Sequence, residues 1–311
     1  MINSCAQKEN AATKTGTFTV SFEATRGGTT EFVNPYTKGL DVQTSETGEK
    51  ISGTWVAGET VLVMTSPITP ADYATAKPED IMKQVGILTA TTSGPVTTLT
   101  GQLTGTFRVG QNLALMYQHR PDLVYDYTGQ DGSIETIASK YDYAQSNYII
   151  SSINGSSIVG SYAPYFHGYQ AIVKFILKDE AGDPIKASSL EISTTGGASH
   201  FVTKFEPLKV DAAKMIEYMQ SVPSSPHMPI DNPYLACQST GAIVINPTAP
   251  SDVIYAALTG DVNGTGIMFG VSNATVSLKA TVGSDTYIYE KEAVSFNCDN
   301  FYIVEVNMKK Q

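Results

Sequence analysis

The residues able to do chemistry are few and scattered. His119, His167, His200 and His227 are the only histidines, and none stands at the spacing of a metal centre. HExxH, CxxC, a GxSxG elbow and a phosphate-cradling glycine loop are absent from the sequence. Asp261-Val262-Asn263-Gly264-Thr265-Gly266 opens like a calcium loop but lacks the closing glutamate, and Asn-Gly between apolar runs predicts a hairpin turn. Asp122/Asp126 and Asp179/Glu180 are paired carboxylates that nothing in the sequence seats in a cleft, so they read as solvated loop charges. Tyr117, Tyr125, Tyr127, Tyr141, Tyr143 and Tyr148 crowd one region. They could present a surface for glycans or proteins, or fill the ends of a β-sandwich with their apolar bodies. No catalytic, cofactor-binding or metal-binding residue emerges, and no enzymatic activity or cofactor is expected.

The cysteines carry a different chemistry. Met1-Ile2-Asn3-Ser4-Cys5 has an apolar residue three before a cysteine and a small one just before it, the shape of a lipoprotein processing site. Cleavage ahead of Cys5 would leave its thiol to carry a diacylglyceryl anchor, with residues 1–15 as anchor and linker. Cys237 and Cys298 could form one disulfide or remain two buried thiols.

These residues must be positioned by strands. The 311-residue chain is 41% hydrophobic and 16% charged, with 26 Gly and 15 Pro, which excludes a coiled coil and argues against a mainly helical protein. The net charge of −10, with no basic block, excludes a nucleic-acid partner. Phe18, Val20, Phe22 and Ala24 alternate with polar residues over Thr17–Ala24, the period of a half-buried strand, and Arg26-Gly27-Gly28 breaks it. Trp55 reads as a core residue at the start of the β-branched run through Val61 and Val63. Further strands are expected at Gly86–Thr91, Val96–Leu103, Asn112–Gln118, Ala171–Leu177, Ala242–Ile245, Val253–Leu258, Ile267–Val271, Val276–Val282, Thr286–Glu290 and Phe301–Met308. Glu180-Ala181-Gly182-Asp183-Pro184 predicts a hairpin into Leu190 and Ile192. Ser133 and Asp211 are expected to cap short helices. The small residues from Asn154 to Ser161 suggest a domain boundary, giving an N-terminal sandwich over residues 16–158 and a C-terminal one over 159–311.

Several of these segments, taken in order, resemble the Bacteroidales-type fimbrillin family, the Mfa-like pilin and adhesin subunits. They are Ile2-Asn3-Ser4-Cys5, the strand Thr17–Ala24 running into Thr25-Arg26, Trp55-Val56-Ala57-Gly58-Glu59-Thr60-Val61, Phe166-His167-Gly168-Tyr169-Gln170-Ala171-Ile172-Val173-Lys174-Phe175, and Asn300-Phe301-Tyr302-Ile303-Val304. Gly27 departs from the small residues, such as alanine, that often follow the family's Thr-Arg. The resemblance implies two transthyretin-like Greek-key β-sandwiches and export as an outer-membrane lipoprotein anchored at Cys5. It also implies cutting between Arg26 and Gly27 by an arginine-directed protease, and assembly into fimbriae when a neighbour's strand replaces the one removed. Phe301–Met308, apolar on one face and half apolar on the other, is the candidate donor. Other fimbrial subunits would be the partners, with host or bacterial surface glycans or proteins as adhesion targets. The alternative is a surface lipoprotein of the same fold that binds such ligands as a monomer.

Overall fold

The computed structural model describes residues 13–26, 39–45, 48–66, 83–119, 124–206, 209, 211, 213–214, 216–217, 237–259 and 270–311. The protein is all-β. Its first half carries β1 (Lys14–Arg26), β2 (Gly39–Ser45), β3 (Gly48–Thr54), β4 (Thr60–Ser66), β5 (Gln84–Ala90), β6 (Val96–Phe107), β7 (Asn112–Tyr117), β8 (Tyr125–Asp126), β9 (Ala144–Asn154), β10 (Ser157–Gly160) and β11 (Tyr165–Gly168). Eight of these form one sheet in the order β10-β1-β11-β9-β7-β4-β5-β6.

That sheet folds over as a sandwich would, and β1 closes it. β1 runs antiparallel to β6 from Lys14 opposite Phe107 to Thr25 opposite Val96. Along its other edge it lies parallel to β10 at Thr19–Ser157 and Val20–Ile158, and to β11 at Thr25–Tyr165 and Arg26–Phe166. The alternation of its side chains puts Phe18, Val20 and Ala24 into the core with Trp55, Leu99 and Leu103.

The second half carries β12 (Gln170–Asp179), β13 (Ser189–Thr195), β14 (Ala198–Phe205), β15 (Cys237–Thr240), β16 (Ala242–Ile245), β17 (Val253–Thr259), β18 (Gly270–Ser272), β19 (Ala274–Val282), β20 (Asp285–Val294) and β21 (Phe301–Lys310). Seven of these run in the order β16-β13-β19-β20-β21-β12-β17. β20 and β21 pair only at Tyr287–Lys310 and Ile288–Lys309. The sheet splays there into two layers over Val173, Phe175, Ile192, Ile254 and Leu278.

Two expectations need correction. Residues 154–161 do not divide the halves: they form the β9–β10 hairpin, with Gly155 at φ 60°, and the change of sheet falls between Gly168 and Gln170. Glu180–Pro184 does turn, with Asp179 accepting from the amides of Ala181 and Asp183 at 2.9 Å. It yields only the bridge Lys178–Pro184, because β12 pairs with β17 and β21 while β13 pairs with β16 and β19. Ser133 caps Ile134–Thr136, which continues as a π-helix over Ile137–Tyr141. Asp211 accepts from the Lys214 amide at 3.0 Å. Asp261 to Gly266 lie outside the described residues.

The tyrosines are a junction. Tyr125, Tyr127, Tyr141 and Tyr143 pack in one buried cluster with Leu62 and Met116 from the first half and with Val202 and Phe205 from the second. β8 pairs with β14 across the same boundary. Tyr117 and Tyr148 are buried in the first core, so this group forms no exposed Tyr-rich face.

Gln130 extends the junction by imitating a strand. Its side-chain amide donates to Ala257 O at 2.8 Å and accepts from Ala257 N at 2.7 Å, covering the open edge of β17. The Nε2 also donates to Tyr127 O at 3.0 Å. Gln130→Leu leaves these backbone groups buried and unpaired, and we expect a loss of about 1–3 kcal/mol in urea unfolding.

Candidate functional site

The parity that sends Ala24 inward sends Arg26 inward too. Its side chain is 2% exposed. Nη2 is ion-paired with the Asp142 carboxylate, and Nη1 donates to Thr54 O at 3.1 Å and lies 3.8 Å from Glu59 Oε2. The guanidinium carbon lies 3.6 Å from the centre of the Tyr117 ring and 5.7 Å from that of Trp55. Gly53 leaves the necessary room, because a Cβ there would come within 3.1 Å of Arg26 Cγ. Burial pulls the guanidinium pKa down, but Asp142, Tyr117 and Glu59 outweigh it and hold it above an arginine's ordinary value.

The Trp55–Val61 motif builds one wall of this pocket. Trp55 bridges to Gly94 through both backbone groups, and Gly58 turns the chain at φ 92°. Glu59 then folds back: Oε2 accepts from the Val56 amide at 2.9 Å and Oε1 from the Tyr117 hydroxyl at 2.6 Å. Trp55 stands edge-on to Tyr117 and Phe166, with ring centres 5.5 and 5.0 Å apart. Burial raises the Tyr117 phenol, against the pull of Arg26.

The opposite wall comes from the join between the halves. Asp142 follows the π-helix and is buried. Burial pushes its carboxyl above the ordinary range, opposed by Arg26. Gln170, the first residue of β12, places Nε2 3.5 Å from Asp142 Oδ1, and its carbonyl accepts from Asp299 N at 3.0 Å. The Asp299 carboxylate accepts from Gly168 N at 3.0 Å and lies 3.1 Å from His167 Nδ1. A polar chain thus joins the end of β1 to the β20–β21 loop. Arg26 pairs with Asp142, and Glu59, Gln170 and Asp299 spend their polar atoms on backbone and side-chain partners, so the chain is built to hold a backbone in place.

The other expected residues lie apart. Cys5, Gly27, His227 and Asp122 are outside the described residues. Cys298 is half-buried against the tyrosine cluster, and the side chain of Cys237, its expected partner, lies outside what the structure describes. Asp126 accepts from the amide and hydroxyl of Thr128 in a turn, and burial lowers the His119 pKa. No cluster of metal-ligating side chains occurs among the described residues. No helix among them is long and apolar enough to cross a membrane. Phe301–Met308 is engaged at home: it runs parallel to β12 from Phe301 opposite Ile172 to Met308 opposite Asp179, with Val306 and Met308 buried.

The residues that sequence reasoning missed are Asp142, Glu59 and Tyr117 as partners of Arg26. The available signal was parity, since an inward arginine requires a buried counter-charge.

No protein-family model matches the chain, and no curated protein matches it. Solved structures similar to the chain at low identity include the following three. A Bacteroides ovatus protein proposed to act in cell adhesion is 9% identical, with TM-score 0.46 over 94% of each chain. A Bacteroides uniformis protein of the same description is 10% identical, with TM-score 0.44 over 83% of this chain and 91% of that one. A fimbrial protein from Bacteroides ovatus is 11% identical, with TM-score 0.35 over 95% of this chain and 50% of that one. Likeness this distant assigns no function.

Proposed function

We propose that the chain is a structural and adhesive fimbrial subunit. In this reading it is exported as an outer-membrane lipoprotein through Cys5 and assembled at the cell surface by strand exchange once the chain is cut between Arg26 and Gly27. One observation carries the reading: β1 closes the first sheet with backbone pairing along both edges and supplies a row of core side chains. Its removal would leave β6 facing β10 and β11 across a strand-wide gap with an apolar floor. Such a gap is a template for another strand. A segment from a neighbouring subunit, running in the direction of β1, would restore the ladder and refill the places of Phe18 and Val20. The motif resemblance points the same way.

The test is incubation of the purified protein with an arginine-specific protease, followed by size-exclusion chromatography and electron microscopy. Filaments built of chains that begin at Gly27 are the expected product. The burial of Arg26 favours a second reading, a monomeric surface lipoprotein that binds glycan or protein ligands and never exchanges β1. A single uncut monomer after prolonged incubation, together with glycan-array binding, would select that reading.

A further inference from the structure

We propose that Asp142 gates the Arg26–Gly27 bond, holding the arginine where a protease cannot take it until the junction between the two halves opens. The inference rests on the reading that Arg26 is a processing site, and it adds the control on that site. An arginine-specific peptidase must draw the guanidinium into its own acidic pocket while the neighbouring backbone lies extended in its cleft. Here the guanidinium already has such a pocket. Asp142, the Thr54 carbonyl, Glu59 and the face of Tyr117 surround it, and its side chain is 2% exposed.

Among these groups Asp142 is the buried counter-charge in direct contact, and the one tied to the second half. It precedes β9 of the first sheet, and Gln170, the first residue of β12, links it to the loop before β21. A movement of that loop would loosen Asp142, and Arg26 with it, while leaving the β1–β6 ladder in place. Cutting would then be confined to molecules whose junction is open, either before it has packed or when a neighbouring subunit pulls it apart.

The chain offers an internal control. Its arginines are Arg26, Arg108 and Arg120, and Arg108 is exposed in the turn between β6 and β7. The experiment is timed digestion of the full chain with an arginine-specific peptidase, each cut mapped by mass spectrometry, for wild type and for Asp142→Asn. Breaking one side of a buried ion pair should speed the cut after Arg26 by about 100-fold while the cut after Arg108 stays within about twofold. An unchanged rate after Arg26 in a folded Asp142→Asn protein overturns the proposal.

If that variant unfolds, both sites accelerate together, and wild-type digestion across a urea series decides the matter. The gate requires the cut after Arg26 to rise with urea while the cut after Arg108 holds steady below the unfolding transition. A cut after Arg26 that is as fast without urea as with it refutes the gate. Rapid cutting of Asp142→Asn into chains that stay monomeric would uphold the gate and count against assembly by strand exchange.

Discussion

Replacing Asp142 with alanine lowers the stability of the folded protein by about 3–5 kcal/mol, because it strands the Arg26 charge in a site closed to water. The loss is read as a fall in the urea midpoint at unchanged slope. The cost belongs to the unpaired partner more than to the bond. Water would solvate both charges in the unfolded chain, so the intact pair adds little net stability. The double variant Arg26→Met with Asp142→Leu should therefore recover most of what Asp142→Ala loses. Failure of that rescue would mean that Asp142 acts through its link to Gln170 rather than through the arginine.

Trp55→Ala is the second large effect, at about 3–5 kcal/mol for deleting a fully buried indole. Trp55 is 1% exposed and supports Tyr117, Phe166 and, through them, the Arg26 pocket. Trp55→Phe should cost clearly less. Among the described residues the buried indole Nε1 has no hydrogen-bond partner, so the smaller ring also removes a donor unmet there. Because the chain has one tryptophan, unfolding of both variants is followed by far-ultraviolet circular dichroism rather than by fluorescence.

Elements governed by local alternation were legible in the sequence. Thr17–Ala24 falls within β1, Ala242–Ile245 coincides with β16, and Val276–Val282 turns into Thr286–Glu290 as β19 and β20. The core role of Trp55 and the cap at Ser133 were legible for the same reason, since each depends on neighbours close in the chain. The closure of the first sheet was not. The parallel contacts of β1 with β10 and β11 join residues separated by most of the first half, and periodicity gives a strand's faces but not its neighbours. The hairpin expected after Asp179 failed on that point, its turn being real and its second strand joining other partners. Arg26 shows the limit most clearly. Arg-Gly-Gly reads as a flexible breaker, yet parity continued two residues past Ala24 puts the side chain in the core. Finding its partners required the fold, because Glu59, Tyr117 and Asp142 come from three distant segments.

The central claim is that β1 can leave its place for a neighbour's strand. The most direct measurement staples it there. The hydroxyls of Thr17 and Thr104 face each other at 3.1 Å across β1 and β6 on the exposed side, so Thr17→Cys with Thr104→Cys forms a disulfide across the ladder without entering the core. After the cut at Arg26, the oxidised protein should remain monomeric by size exclusion, and a reducing agent should release filament growth at the wild-type rate, with each single-cysteine variant assembling as wild type. Filaments that form equally well with the staple closed would contradict exchange of β1.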